Sequence, residues 1–166
     1  EQAKIAVAQA FDYITTHAEE LDVNTQQLGI IGFSAGGQVA AAYSNASASK
    51  AKFAALGYPV IQPTIDERMG VTTENVANLV TAQTPPTFMW GSIKDKVTPF
   101  VDHLHVYVDA LVKHDVPFEL HEFSTGGHGI ALANEYTGIV NNDRVDEHMG
   151  KWFPLFLEWF TELHLG

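Results

Sequence analysis

The chain has 166 residues, enough for one domain spanning 1–166 with a sizeable core, and its 46% hydrophobic and 17% charged residues predict a folded rather than disordered chain. A formal net charge of −11 would repel phosphate backbones and anionic lipid, so nucleic-acid and membrane partners are not expected. The absence of cysteine removes disulfides, thiolate metal sites and cysteine nucleophiles, while leaving the compartment open.

No run of about 18 apolar residues occurs. Glu1 to Ala10 open as an amphipathic helix without the basic leader of a signal peptide. Ala3, Val7, Ala10, Phe11, Ile14 and Ala18 recur at helical spacing and predict a helix over 2–20. Leu28 to Ile31 is an apolar run of strand type, and the turn residues that follow lead into a helical Gln38 to Tyr43 segment. Ser44 to Lys50, rich in Ser, Ala and Asn, should end that helix. Phe53 to Tyr58 predicts a second buried strand closed by Pro59, and a loop with a short helix over Thr73 to Thr81 follows.

Pro85 and Pro86 precede a third strand, Thr87 to Trp90. A helix is expected from Pro99, with Val101, Leu104, Val108, Leu111 and Val112 on its buried face. After Pro117, Phe118 to Phe123 alternates apolar and polar residues as a fourth strand. Trp152, Leu155, Phe156, Trp159, Phe160 and Leu163 form the stripe of a last helix, with Pro154 in its first turn or kinking it. Strands alternating with helices predict an α/β fold, a three-layer sandwich with a parallel sheet covered on both faces. In such sheets chemistry gathers at the carboxyl ends of the strands.

Three of those ends carry the residue types needed for acyl transfer. Gly32-Phe33-Ser34-Ala35-Gly36 is a G-x-S-x-G motif in strand-turn-helix context, where the serine sits on a sharp turn with its hydroxyl exposed. Glycines at 32 and 36 are expected to remove side chains that would collide across that turn. The helix start behind Ser34 aims N–H groups at a developing anion, and the Ala35 backbone N–H is the candidate oxyanion donor. Asp95 follows the third strand and His128, within Gly126-Gly127-His128-Gly129, follows the fourth. A serine hydroxyl needs a base near neutral pH; an imidazole supplies one, and a carboxylate fixes its tautomer. The glycines let the histidine loop turn tightly enough to reach Ser34.

On these residues the chain resembles the α/β-hydrolases, and within them the acetylxylan-esterase-like carboxylesterases. The resemblance rests on Gly32-Phe33-Ser34-Ala35-Gly36-Gly37, Asp95-x-x-x-Pro99 and Gly126-Gly127-His128-Gly129, with echoes at Tyr58-Pro59-Val60-Ile61 and Pro85-Pro86-Thr87-Phe88. It implies serine esterase chemistry on short acyl esters, acetyl groups on carbohydrate first, with no cofactor and no metal. Gln38 stands where many relatives carry histidine, and Thr98 where they carry valine. Relatives also place several strands before the elbow, one ending in a His-Gly-Gly-type loop that supplies a second oxyanion N–H. The 33 residues before Ser34 hold one helix and a link. The expectation is therefore the C-terminal part of an α/β-hydrolase fold, with an uncovered sheet edge that pairs with the missing N-terminal strands or in a homo-oligomer.

Several residues have plainer readings. A lone G-x-S-x-G arises by chance, and Asp95 could merely cap the helix after Pro99. Asp66, after the second strand, is a competing acid whose simpler role is a solvated loop carboxylate. His103 and His105, two apart on a predicted helix, diverge and are expected on a solvated face rather than around a metal. His121 is a surface or sheet-packing residue. Trp152, Trp159 and Phe160 at helical spacing, and Trp90 at a strand end, belong to the core rather than to a sugar platform. The rival functions are a peptidase or lipase on the same machinery, and an inactive interaction domain that needs a missing half.

Overall fold

A computed structural model describes residues 2–65, 70, 72–137 and 145–163. The elements are α1 (Gln2–Thr16), β1 (Ile30–Phe33), α2 (Ala35–Ser44), β2 (Ala54–Gly57), β3 (Thr87–Ser92), α3 (Leu104–Lys113), β4 (Phe118–Phe123) and α4 (Trp152–Glu162). All strand pairs are parallel, in the order β1-β2-β3-β4, with Ile30 opposite Ala54, Ala54 opposite Thr87 and Thr87 opposite Phe118.

The pleat divides the core in two. Ala54, Leu56 and Met89 face a cluster formed with Ala40 and Ala41 of α2, Val76, and Leu104, Tyr107 and Leu111 of α3. Ala55, Phe88 and Trp90 face the other way, onto Trp152, Phe156 and Trp159 of α4. The sheet thus carries helices on both faces, as the alternation of elements predicts. Trp90 and Trp152 stack at 3.9 Å between ring centroids with 7° between planes. Both are buried, in accord with the core reading of these aromatics. Such a contact adds about 0.5–1.5 kcal/mol beyond the area it hides.

Several boundaries and faces differ from expectation. α1 ends at Thr16 and continues as turns, and of its predicted apolar stripe Phe11 alone is buried, against Tyr43. Between β2 and β3 the described residues hold 3₁₀ turns at Pro63–Ile65 and Val76–Leu79 rather than an α-helix. Asn75 caps the second by accepting from Ala77 N–H at 3.0 Å. The helix expected from Pro99 begins as a 3₁₀ turn, Phe100–Asp102, and becomes α-helical only at Leu104. The change of pitch rotates the buried face onto Leu104, Tyr107 and Leu111, leaving Val101 and Val112 more than half exposed. Pro154 lies in the first turn of α4, where no intrahelical N–H bond is lost. β1 lies at one edge of the sheet with Ile31 partly exposed, consistent with the uncovered edge expected there.

Candidate active site

Ser34 joins β1 to α2 with φ 52° and ψ −124°, a conformation that costs a non-glycine residue about 1–3 kcal/mol and is held by its surroundings. Its N–H donates to Gly57 O at 3.0 Å, and its carbonyl accepts from Val60 N–H at 3.0 Å and Gln38 N–H at 3.2 Å. The β2 end therefore clamps the turn from both sides. At Gly32 a methyl group would sit 2.7 Å from the Gly36 carbonyl carbon and 2.8 Å from Ala40 Cβ, as the sequence argument requires. The collision expected at Gly36 is not found, since no described residue outside its own helix lies within 4 Å of its Cβ position. The steric demand falls on Gly37 instead, 2.7 Å from Pro59 Cβ. Pro59, two residues past β2, makes the closest approach to that second glycine, with the Gly32 carbonyl of the incoming strand next at 3.3 Å.

The structure brings Ser34, Asp95 and His128 together. Ser34 Oγ lies 2.8 Å from His128 Nε2, and His128 Nδ1 lies 2.7 Å from Asp95 Oδ2. An ionised carboxylate only accepts, so Nδ1 carries the proton and Nε2 is free to accept from the serine hydroxyl. Asp95 is buried, and its other oxygen accepts from Val97 N–H at 2.8 Å and Thr98 N–H at 3.0 Å. Burial alone would raise its pKa. The His128 hydrogen bond, the two backbone donors and the charge of His128 outweigh burial and hold the carboxyl below the usual range. Ala35 opens α2, so its N–H has no intrahelical acceptor and sits next to the Ser34 hydroxyl in sequence.

The loop carrying His128 turns through Gly126 and Gly129 at φ 75° and 77°, values that favour glycine. It is tied down by Tyr58, itself at φ 36°, whose ring meets the imidazole edge-on at 5.0 Å. The Tyr58 hydroxyl accepts from Ala131 N–H at 3.0 Å, and Trp152 Nε1–H donates to Ala131 O at 2.8 Å. The sequence puts Tyr58 at the end of the second strand and among the residues shared with relatives, but β2 ends at Gly57 and the contact of Tyr58 with the histidine has no local signal.

His103 requires a correction. It is fully buried rather than solvated: Nδ1 accepts from Ile61 N–H at 3.0 Å and Gln62 N–H at 3.3 Å, and Nε2–H donates to Thr64 Oγ1 at 2.9 Å. It precedes α3 rather than lying on it, so helical spacing did not apply. His105 is half-exposed and pairs with Glu122 at 2.6 Å. His121 pairs with Glu119 at 2.7 Å and packs on Phe88. Among the described residues no group of three or more His, Asp or Glu could hold a metal. Asp66 lies outside the described residues.

A parallel sheet covered on both faces, with a serine on a strained strand-to-helix turn, is the architecture of an α/β-hydrolase. The sequence matches the dienelactone hydrolase family over residues 1–163, and the chain belongs to that family. Its fold is similar to a carboxylesterase of Lactobacillus plantarum (30% identity, TM-score 0.88, covering 96% of this chain and 66% of that one). It is also similar to an acetyl ester-xyloside bifunctional hydrolase of Caldicellulosiruptor lactoaceticus (26% identity, TM-score 0.78, covering 98% and 66%). An acetylxylan esterase of Xylanibacter ruminicola is 25% identical over 168 residues, which cover 88% of this chain and 34% of that protein. The chain spans about a quarter to a third of the length of the curated relatives it matches.

Proposed function

We propose that this chain carries the catalytic residues of a serine carboxylesterase acting on short acyl esters, with acetyl groups on carbohydrate as the substrate class. The observation that carries the reading is the continuous contact Ser34 Oγ–His128 Nε2–His128 Nδ1–Asp95 Oδ2, at 2.8 and 2.7 Å. The similarity to esterases of acetylated carbohydrate supports the choice of substrate.

Ser34 Oγ forms a bond to the ester carbonyl carbon as its proton passes to His128 Nε2. Asp95 stays ionised and stabilises the imidazolium. The carbonyl oxygen, now negative, accepts from Ala35 N–H. Collapse of the tetrahedral species breaks the bond to the alcohol, which leaves with the proton from Nε2. Water then adds to the acyl-serine, giving its proton to His128. When the Oγ–carbon bond breaks, that proton returns to Ser34 and the acid departs.

A fluorophosphonate probe tests the assignment. Covalent labelling of the chain that disappears in Ser34→Ala, together with release of p-nitrophenol from p-nitrophenyl acetate, is the expected result. A chain that neither labels nor hydrolyses would overturn it in favour of an inactive interaction domain. Acetate release from acetylated xylan, compared with long-chain esters and peptides, tests the substrate class against the lipase and peptidase alternatives.

A further inference from the structure

Thr98 is buried, and its hydroxyl has three polar neighbours: Asp95 Oδ2 at 2.9 Å, His128 Nδ1 at 3.2 Å and the Tyr58 carbonyl at 3.3 Å. A hydroxyl has one proton to give. Nδ1 carries its own proton, directed at Oδ2, and cannot accept. Of the two remaining acceptors the carboxylate is closer, and a charged acceptor makes the stronger bond.

We propose that Thr98 is a positioning residue of the acid–base pair, donating its hydroxyl proton to the same Asp95 oxygen that receives His128 Nδ1–H. This inference rests on Asp95 and His128 being that pair. Two consequences follow from one oxygen serving two donors. The second donor fixes where Oδ2 points, because the Oδ1 side is already held by Val97 and Thr98 N–H. It also divides the charge of Oδ2, so the carboxylate holds the imidazolium less tightly than it would facing His128 alone. The backbone N–H of residue 98 is unaffected by its side chain, so a valine removes the hydroxyl and leaves the other Asp95 bonds in place.

Besides Thr98, the groups that touch His128 come from three segments: Asp95, Ser34, and Tyr58 edge-on to the ring. Asp146 is the charged group next along the histidine loop, where it accepts from the Thr125 hydroxyl and Met149 N–H. His103 acts on both members of the pair through its charge, and its Nδ1 is already occupied by two N–H donors. All are shared by the parent and the variant, so their effects cancel in the comparison.

The test is a pH titration of the histidine rings by NMR in the 166-residue chain, with the His128 signal assigned by its loss in His128→Gln. In Thr98→Val the His128 midpoint is expected to move up by about half a unit, roughly threefold in proton affinity, whereas Thr98→Ser keeps the parent midpoint. A folded Thr98→Val chain with an unmoved midpoint overturns the proposal, as does a Thr98→Ser chain that moves as far as the valine variant. If Thr98→Val does not fold, the unmodified chain decides. A scalar coupling between the Thr98 hydroxyl proton and the Asp95 carboxyl carbon is expected, and coupling to the Tyr58 carbonyl carbon, or to neither, overturns the proposal. Neither measurement needs turnover. A chain that fails to label with fluorophosphonate can still show the shift, so the two readings fail separately.

Discussion

Replacing His103 by leucine removes the acceptor shared by two backbone donors, Ile61 and Gln62, in the loop after β2. Ile61 is fully buried and its N–H loses its partner outright, while Gln62 is half-buried and recovers part of its loss from water. An orphaned buried donor costs about 1–3 kcal/mol, so His103→Leu should destabilise the chain by about 2–4 kcal/mol. Urea unfolding followed by circular dichroism reads this as a lower midpoint at constant slope.

The same residue gives a pH signature. Burial, with the charge of His128 acting in the same direction, lowers the His103 pKa against the opposing pull of Asp102 and Asp95. The folded chain therefore binds fewer protons at this site than the unfolded one. Its stabilising contribution is complete above about pH 6.5, the ordinary histidine value, and is lost progressively as the pH falls below it. The stability gap between parent and His103→Leu should narrow from pH 7 to pH 5. A gap below about 0.5 kcal/mol at pH 7, small beside the cost of even one orphaned donor, would refute the hydrogen-bond argument. A gap that is flat across that range would refute the linkage argument.

The elbow glycines separate cleanly. Gly36→Ala should change stability by no more than about 0.5 kcal/mol, or raise it slightly through helix propensity, because its Cβ position is open. Gly32→Ala drives a methyl group into the Gly36 carbonyl and Ala40 and should cost about 1–3 kcal/mol or more, measured by the same urea titration. Asp95→Asn keeps the shape of the site but favours the wrong histidine tautomer, and should lower the turnover of p-nitrophenyl acetate by about 10⁴-fold. A drop of less than tenfold would remove Asp95 from the proposed mechanism.

The sheet was legible because the first three strands are short apolar runs bounded by proline, glycine or polar turns. Phe118 to Phe123 could be read to the residue, since an edge strand half-open to solvent keeps its alternation. Ser34, Asp95 and His128 could be nominated as candidates because each lies within a short turn or loop after a strand end, which is a local property. What escaped was set by contacts distant in sequence. His103 is buried by the loop at 61–64, roughly forty residues away, and nothing around it marks a core position. Gly37 is fixed by Pro59, across the β1–β2 pair. Thr98 looked like a minor departure from valine until the fold put Asp95 and Tyr58 on either side of its hydroxyl. Val101 and Val112 misled because a 3₁₀ turn altered the phase of a helix whose composition gives no sign of it.

Ser34 and His128 are 94 positions apart, one following the first strand of the sheet and the other the last. Their hydrogen bond therefore exists only after three parallel crossovers have closed. At equilibrium the separation is cheap, since each doubling of a loop adds only about 0.6 kcal/mol of closure entropy. In time it is expensive: non-local parallel pairing is slow, so the Ser34–His128 contact should be among the last to form during folding. Under the proposed mechanism, labelling of Ser34 would then act as a folding clock, and a kinetic trap with any single strand unplaced would be silent to a probe that reads this contact.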